Sequence, residues 1–523
     1  MHAIRPTAPV PAERADAYRA ARWWDDRRLG DGVELAAAHR PDARAVADNE
    51  RSLTCRELSQ LVSAGVSVLV DAGVRPGDGV VLVSGNTAEG VVAYHALLRA
   101  GATSIVLDRR CGGADIRTAL DVVGSDATVL LPGSEARRLL EGLNGVRTLP
   151  LETFGRASAA GAAAVPGSEP DRDAPAVVLF TSGTTRRPKA VIHSLNTLTA
   201  GARNMARITG ADSSTVAFLV SPLTSITGVM QMHLAADQHG SLVLEDRFDG
   251  EESLDRIDTH QATLLGGAPV IVERLLRAAA GRTDPRIALR TLALGGAMIP
   301  RPLLELATDK FGIEVARVYG SSEAPNSSGS LPEDDREKRL LDDGALMPGT
   351  EVRVGSREHA QEGLLRGPAV FLGYVDPEDT KATFEDGWYR TGDAVELQGE
   401  RLTVVGRLKE VIKRNGLEVS LGEVEAALAR LPGVVEYACF GSPDAVTGER
   451  LAVAVRPEEG RETTLEAVLE HLRSEGLAVR KLPEQLVVWD EPLPRTASGK
   501  IVRSRLVMES PGKASQFASR RNR

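Results

Sequence analysis

From Asp78 to Leu131 the chain alternates strand-like and helix-like segments: Gly79 to Val83, Ala88 to Arg99, Ser104 to Leu107, Ala114 to Val123 and Ala127 to Leu131. Short apolar runs spaced by stretches of helical length bury their faces best as βαβ units on a mainly parallel sheet. This rhythm constrains the fold more than any other feature and predicts an α/β class. It implies a large N-terminal domain of parallel-type sheets and helices. After about Gly406 the pattern changes to a smaller α+β unit of roughly a hundred residues, within the usual size of a domain. There, Ser420 with Glu423 has capping-box spacing ahead of Val424, Leu428 and Leu431, and Thr463 with Glu466 repeats it ahead of Val468, Leu469 and Leu472. The apolar runs Val434 to Phe440, Leu451 to Val455 and Gln485 to Trp489 suit strands. The run Arg156 to Arg172, mostly Ala, Gly, Pro and Ser, reads as a surface connection, and the polar end from Glu509 to Arg523 is expected to fray.

The 523 residues carry 63 Lys and Arg against 72 Asp and Glu, a net charge of −9, with 42% hydrophobic residues. A chain of this composition builds a full core without staples. Duplex nucleic acid is a poor partner for such a balance, because phosphate binding needs clustered basic surface, and the basic cluster here is the tail with Lys513, Arg520, Arg521 and Arg523. Cys55, Cys111 and Cys439 are far apart and odd in number, which gives neither a disulfide framework nor a Cys-x-x-Cys metal site. His233 and His239 do not share a helical turn, so they read as ordinary core or surface histidines. The segment Met1 to Arg19 is polar and broken by Pro6, Pro9 and Pro11, unlike a signal peptide, and no stretch of about eighteen apolar residues offers a membrane span. The expectation is a cytoplasmic protein with neither nucleic acid nor membrane as partner.

The sharpest chemical signal is Thr181-Ser182-Gly183-Thr184-Thr185-Arg186-Arg187-Pro188-Lys189, which follows the apolar run Ala176 to Phe180. A strand running into a loop of hydroxyls, backbone amides and cations is suited to phosphate oxygens. It is not a Walker loop, which needs glycine directly before its lysine, where Pro188 stands.

This segment resembles the phosphate loop of the adenylate-forming superfamily, which unites acyl-CoA synthetases, stand-alone adenylation domains and firefly-type luciferases. The resemblance continues in order. Leu289-Arg290-Thr291-Leu292 leads into Gly295-Gly296-Ala297, similar to the family's adenine-binding turn. Tyr319-Gly320-Ser321-Ser322-Glu323 resembles the segment whose Tyr stacks on adenine and whose Glu holds magnesium. Gly387 to Asp393 is similar to the segment whose Asp takes both ribose hydroxyls. Gly406-Arg407-Leu408-Lys409, continuing to Gly416, resembles the hinge, and Pro494 to Ile501 the loop of the catalytic lysine, here Lys500. Weaker likeness appears earlier, at Leu53 to Leu58.

The resemblance implies an AMP-forming carboxylate–CoA ligase using ATP or acyl-AMP, Mg2+ and CoA. Its domains would be residues 1–408, binding AMP and the acyl group, and a mobile unit of residues 409–523 carrying the lysine loop. A lysine is needed because a carboxylate and the α-phosphate repel as they approach, and Lys500 fits that role. Thr181, Ser182, Gly183 and Thr184 would meet phosphate oxygens, Glu323 the metal, and Asp393 the ribose, with Arg407 clamping the nucleotide. Lys409 falls at the hinge, and Gly416 where the pantetheine arm passes close to the backbone. The thiol of CoA attacks the adenylate directly, so no enzyme nucleophile is required.

Three positions depart from the family pattern: Arg186 and Ala190 stand where glycines are usual, and Glu418 where a neutral or basic residue is common. All three surround one pyrophosphate path, which bears on the adenylation half-reaction. In the acyl pocket Ser225 occupies a place usually given to His or an aromatic, and with Gly228, Gly295 and Gly296 it suggests room for a bulky or cyclic hydrophobic acid, although glycines in such turns also serve backbone geometry. Other readings stay open: thioester formation only, from adenylate supplied by a partner enzyme; loading of a carrier-protein pantetheine; or a weakly catalytic adenylate-binding protein.

Overall fold

The computed structural model describes residues 4–25, 32–124, 127–143, 146–156, 171–181, 188–283, 286–296, 299, 301–408, 410–414, 417–429, 431–444, 448–495 and 501–518. Most of the connection from Arg156 to Arg172 lies outside them.

The alternation beginning at Asp78 becomes β1 (Gly79–Ser84), α1 (Ala88–Arg99), β2 (Thr103–Asp108), α2 (Gly113–Val123) and β3 (Thr128–Leu131), each within one residue of the expected bounds. Strand β1 is buried at every position, as a parallel strand covered on both faces must be, and its apolar run is therefore continuous rather than alternating. With β4 (Arg147–Pro150), β5 (Pro175–Thr181) and β6 (Lys189–Ser194) these strands form a sheet in the order β4-β3-β1-β2-β5-β6. All neighbours are parallel except β5 and β6, which pair antiparallel with Thr181 opposite Lys189. This antiparallel pair flanks the expected phosphate loop, whose residues 182–187 lie outside the described residues.

Ser194 ends β6 and caps α3 (Leu195–Thr209) by accepting from the Thr197 amide. Next come β7 (Val216–Leu219), α4 (Ile226–Asp237), β8 (Leu264–Gly267), β9 (Thr291–Gly295) and β10 (Glu314–Tyr319), with β7 to β10 neighbouring and parallel in a second, larger sheet. Short strands at Ser328–Gly329 and Ala345–Leu346 carry that sheet on to the antiparallel pair β11 (Trp388–Gln398) and β12 (Arg401–Arg407).

The smaller domain has its own sheet and core. Strands β13 (Val411–Arg414), β14 (Leu417–Ser420), β15 (Val434–Asp444), β16 (Gly448–Pro457), β17 (Gln485–Val488) and β18 (Ser515–Phe517) form it, with α5 (Leu421–Leu428) and α6 (Leu465–Ser474) closing over Val424, Val453, Leu472 and Leu486. The backbone passes from one domain to the other here, and the Glu410 amide still donates to Arg407 O at 3.0 Å. The Leu408 amide donates to Gly392 O in the large domain at 2.8 Å, whereas Glu410 O accepts from the Leu421 amide at 3.0 Å. The Glu410 carboxylate pairs with Arg503 at 2.8 Å, and Arg503 also binds both oxygens of Glu425 at 2.9 Å and Cys439 O at 3.0 Å.

Three expectations need correction. Thr464, not Thr463, caps α6, accepting from the Ala467 amide, while Thr463 is buried and Gln516 Oε1 takes the Leu465 amide. Ser420 accepts from the Glu423 amide, but the Glu423 carboxylate pairs with Lys481, so one half of the capping box is made. The segment from Glu509 to Ala518 does not fray, because Ser515–Phe517 adds antiparallel to the edge strand β17 and supplies its missing hydrogen bonds, and the Ala518 amide donates to Glu484 O. No helix among the described residues is long and apolar enough to cross a membrane.

Candidate functional site

The hairpin of β11 and β12 sets Asp393 opposite Arg407. Asp393 is 5% exposed; Arg407 Nε stands 3.1 Å from its Oδ1, and the Tyr319 hydroxyl donates to its Oδ2 at 2.9 Å. Tyr319 is the last residue of β10, so two distant parts of the sheet converge on one carboxylate. The charge of Asp393 raises the Arg407 pKa above its ordinary value, while burial, helped by that same charge, pushes the Tyr319 phenol up. The carboxylate has about four lone-pair sites, so a cation and a phenol leave acceptor capacity for a diol.

The turn after Tyr319 is built for close backbone approach. A Cβ on Gly320 would lie 2.5 Å from the Asn326 amide, and the Ser321 hydroxyl accepts from the Glu323 and Ala324 amides at 3.2 Å. His193, wholly buried on β6, donates from Nε2 to Ser322 O at 2.7 Å. A carbonyl can only accept, so the proton is on Nε2, and burial lowers the imidazole pKa to about 4 and keeps the ring neutral. Glu323 Oε1 accepts from the Tyr374 hydroxyl at 2.8 Å, and its main-chain carbonyl from the Phe371 amide at 2.8 Å. Gly296, at φ +75°, adopts the left-handed backbone, and a Cβ on Gly295 would stand 2.3 Å from Val318 O on the neighbouring strand.

Residues 372–375 lie along β6 like an added strand. The Leu372 amide donates to Ile192 O, the Ile192 amide to Gly373 O and the Val375 amide to Ala190 O, at 2.8 to 3.0 Å. Lys189 Nζ sits 4.6 Å from the centre of the Tyr374 ring and 3.3 Å from Asp379 Oδ1. The base of the Thr181–Lys189 hairpin and the Glu323 turn are therefore tied through Tyr374. Ala190 pairs regularly with Phe180 and is buried, so a side chain fits there without strain.

The structure thus brings together Thr181, Tyr319, Gly320, Ser321, Ser322, Glu323, Asp393 and Arg407 through these elements. Ser182, Gly183, Thr184, Arg186, Ala297, Lys409, Gly416 and Lys500 lie outside the described residues. Glu418 is on β14 opposite Lys413. Ser225 bonds within its own turn: its hydroxyl donates to Pro222 O at 2.7 Å and accepts from the Gly228 amide at 3.2 Å, capping α4. A Cβ on Gly228 would stand 2.3 Å from Pro222 O, so this glycine answers a backbone demand rather than adding pocket volume. His193, Tyr374 and Asp379 were not expected. The signal for His193 was a histidine ending the apolar run Ala190 to Ile192, which must find a partner when buried. No group of three or more His, Cys, Asp or Glu among the described residues can hold a metal alone. One carboxylate suits Mg2+, which usually takes one or two carboxylates with substrate phosphates and water completing its shell.

The fold and this cluster define an enzyme of the adenylate-forming superfamily. Residues 33–375 match the AMP-binding enzyme family and residues 423–500 the AMP-binding enzyme C-terminal domain, and the chain belongs to that family. A salicylyl-CoA synthase / salicylate adenylyltransferase of a Streptomyces species is 31% identical over 546 residues, covering 97% of this chain and 98% of that protein. A CoA ligase of Mycobacterium tuberculosis, named for a methyl-dioxo-octahydroindenyl propanoyl group, is 33% identical over 92% of this chain and 99% of its own. Among solved structures, o-succinylbenzoate coenzyme A synthetase from Bacillus subtilis, in complex with ATP and magnesium ion, superposes with a TM-score of 0.79 at 25% identity, covering 91% of this chain and 99% of that one.

Proposed function

We propose that this protein is an AMP-forming carboxylate–CoA ligase acting on a bulky or cyclic hydrophobic acid. The carboxylate attacks the α-phosphate of ATP and pyrophosphate leaves; the CoA thiol then attacks the acyl carbon, AMP leaves and the thiol proton is lost. The observation that carries the reading is the convergence of Tyr319, Asp393 and Arg407 beside a Glu323 turn tied through Tyr374 to the base of the Thr181–Lys189 hairpin. Asp393 accepts from the ribose hydroxyls and Arg407 fixes the same nucleotide. Gly295 and Gly296 let it approach the backbone, and Tyr319 with the turn through Ser322 borders the base. Glu323 would hold magnesium, which would supply charge neutralisation at the phosphates. Lys500 serves adenylation and Gly416 the pantetheine path. The division into residues 1–408 and 409–523, with the hinge at Lys409, is supported by the Leu408 amide bonding into the large domain while the Glu410 carbonyl and carboxylate engage the small one. Relatives named for salicylate and for a fused-ring propanoate support a cyclic acid.

The test offers purified protein a panel of aromatic and alicyclic acids with ATP, Mg2+ and CoA, and in parallel preformed acyl-adenylates with CoA, reading AMP and thioester by mass spectrometry. Acid-dependent thioester in the first arm is expected. Thioester from adenylate alone would confine the enzyme to the second half-reaction, and none in either arm would overturn the reading.

A further inference from the structure

Residues 7 and 8 run along the outer edge of residues 372–375. That added strand gives half of its main-chain groups to β6: the Leu372 and Val375 amides donate there and Gly373 O accepts from there. Alternation along a strand turns the remaining groups, Leu372 O and both groups of Tyr374, to the other side, where an open edge needs a partner. The N-terminal segment supplies it. The Thr7 and Ala8 amides donate to Leu372 O at 3.0 and 2.8 Å, and the Thr7 hydroxyl donates to Tyr374 O at 2.5 Å.

The proton on Thr7 Oγ1 is given to a carbonyl, which can only accept, so across the 2.8 Å contact between Thr7 Oγ1 and Thr380 Oγ1 it is Thr380 that donates. Buried Thr380 in turn accepts from the Tyr374 amide at 2.8 Å. These three bonds close a ring that leaves Tyr374 by its amide and returns by its carbonyl. Gly373, at φ +95°, makes room for it: a Cβ there would stand 2.2 Å from Thr7 Oγ1 and 2.8 Å from the Ala8 nitrogen. The N-terminal segment holds the same stretch a second time, where buried Trp24 donates from Nε1 to Pro368 O at 2.9 Å. The stretch from Pro368 to Tyr374 makes two attachments to Glu323, from the Phe371 amide to its carbonyl and from the Tyr374 hydroxyl to its Oε1.

We infer that Thr7 is a positioning residue for Glu323: its hydroxyl fixes the backbone of Tyr374, and with it the phenol that orients the carboxylate assigned to magnesium. The inference rests on the ligase reading and deepens it. Thr7 precedes the span matched to the AMP-binding enzyme family, which begins at residue 33, so this support comes from the chain's own N-terminal segment. Without the hydroxyl the ring is open at Tyr374 O, while the two amide bonds to Leu372 O still hold the segment in place. The loss therefore falls on the orientation of Tyr374 and not on the docking of the segment.

The experiment measures by calorimetry the affinity for α,β-methylene-ATP, a non-hydrolysable analogue, with Mg2+ present and with the metal chelated. The ratio of the two affinities isolates the metal's contribution. In Thr7→Val, of similar shape without the hydroxyl, that ratio is expected to fall about 3- to 10-fold with the metal-free affinity unchanged, less than on removing a group that touches a metal ligand directly. Thr7→Ser, which keeps the donor, is expected to restore it. In a Tyr374→Phe background Thr7→Val is expected to cost nothing further, because residues that act through one another do not add. An unchanged ratio in Thr7→Val, an equal fall of both affinities, no recovery in Thr7→Ser, or the full loss repeated in the Tyr374→Phe background would each overturn this inference alone. So would an analogue that the unmodified protein binds equally with and without Mg2+. Should Thr7→Val fail to fold, Thr380→Val, which opens the same ring at its other hydroxyl, is titrated in its place. No binding of the analogue to the unmodified protein in either condition would overturn the ligase reading and this inference with it.

Discussion

The Tyr374 hydroxyl donates to Glu323 Oε1 across 2.8 Å, and the ring that carries it lies under the Lys189 ammonium. The phenol fixes one carboxylate oxygen, and the proposed metal-binding role falls to the other. A carboxylate held this way reaches a cation without first losing rotamer freedom, the usual contribution of groups behind a metal ligand. Tyr374→Phe keeps the ring and its contact with Lys189 and removes only the donor. The Mg2+ concentration for half-maximal AMP formation is expected to rise about 10-fold. An unchanged magnesium dependence would remove Tyr374 from any positioning role.

Asp393 gathers Arg407 and Tyr319, so Asp393→Ala takes away the proposed ribose acceptor and the anchor of both neighbours. Calorimetry with an acyl-adenylate mimic is expected to show a loss of about 2 to 4 kcal/mol, the range for a buried, charge-assisted hydrogen bond. Undiminished affinity would mean that the ribose sits elsewhere.

His193 gives a pH dependence with a definite sign. Its folded pKa is about 4, below the roughly 6.5 of an ordinary histidine, so between those values the unfolded chain binds a proton that the folded protein refuses. The contribution is fully present above pH 6.5 and lost as the pH falls toward 4, on the order of 3 kcal/mol in all. In His193→Gln, whose amide can still donate to Ser322 O, melting temperature is expected to fall less steeply over that window. Parallel slopes for the two proteins would show that some other group titrates.

Lys500 and Gly416 are expected to separate the half-reactions. Lys500→Ala should abolish acid-dependent AMP formation and spare thioester formation from supplied adenylate, while Gly416→Leu should do the reverse. Loss of both half-reactions in both variants would indicate damage to the fold instead.

The parallel core was legible because burial on both faces writes itself as unbroken apolar runs, as in Gly79 to Ser84, and the family motifs marked the turn that carries Glu323 and the strand that carries Asp393. What escaped was set by tertiary approach. Nothing local announces that Tyr374 comes back along β6 to meet Glu323. Ser515–Phe517 looked frayed because three polar-flanked residues carry too little pattern to suggest a strand, and only the open edge of β17 makes them one. Thr463 and Thr464 offer the same hydroxyl, and the choice between them was made by burial of Thr463.

The Arg503 clasp bears on how force travels. Because Arg503 joins Glu410 to α5 and β15, the chain immediately beyond residue 409 is part of a stiff lever, while Leu408 is riveted to Gly392 on the other side. Arg503 is also three residues from Lys500, so an arm starting at the proposed pivot, Lys409, would end at the proposed lysine loop. A turn of that residue's torsions would then be transmitted to the loop as a whole-body swing rather than dissipated in slack. A mutation that loosens the clasp would act like play in a gear train, lengthening the stroke's settling time without touching either end.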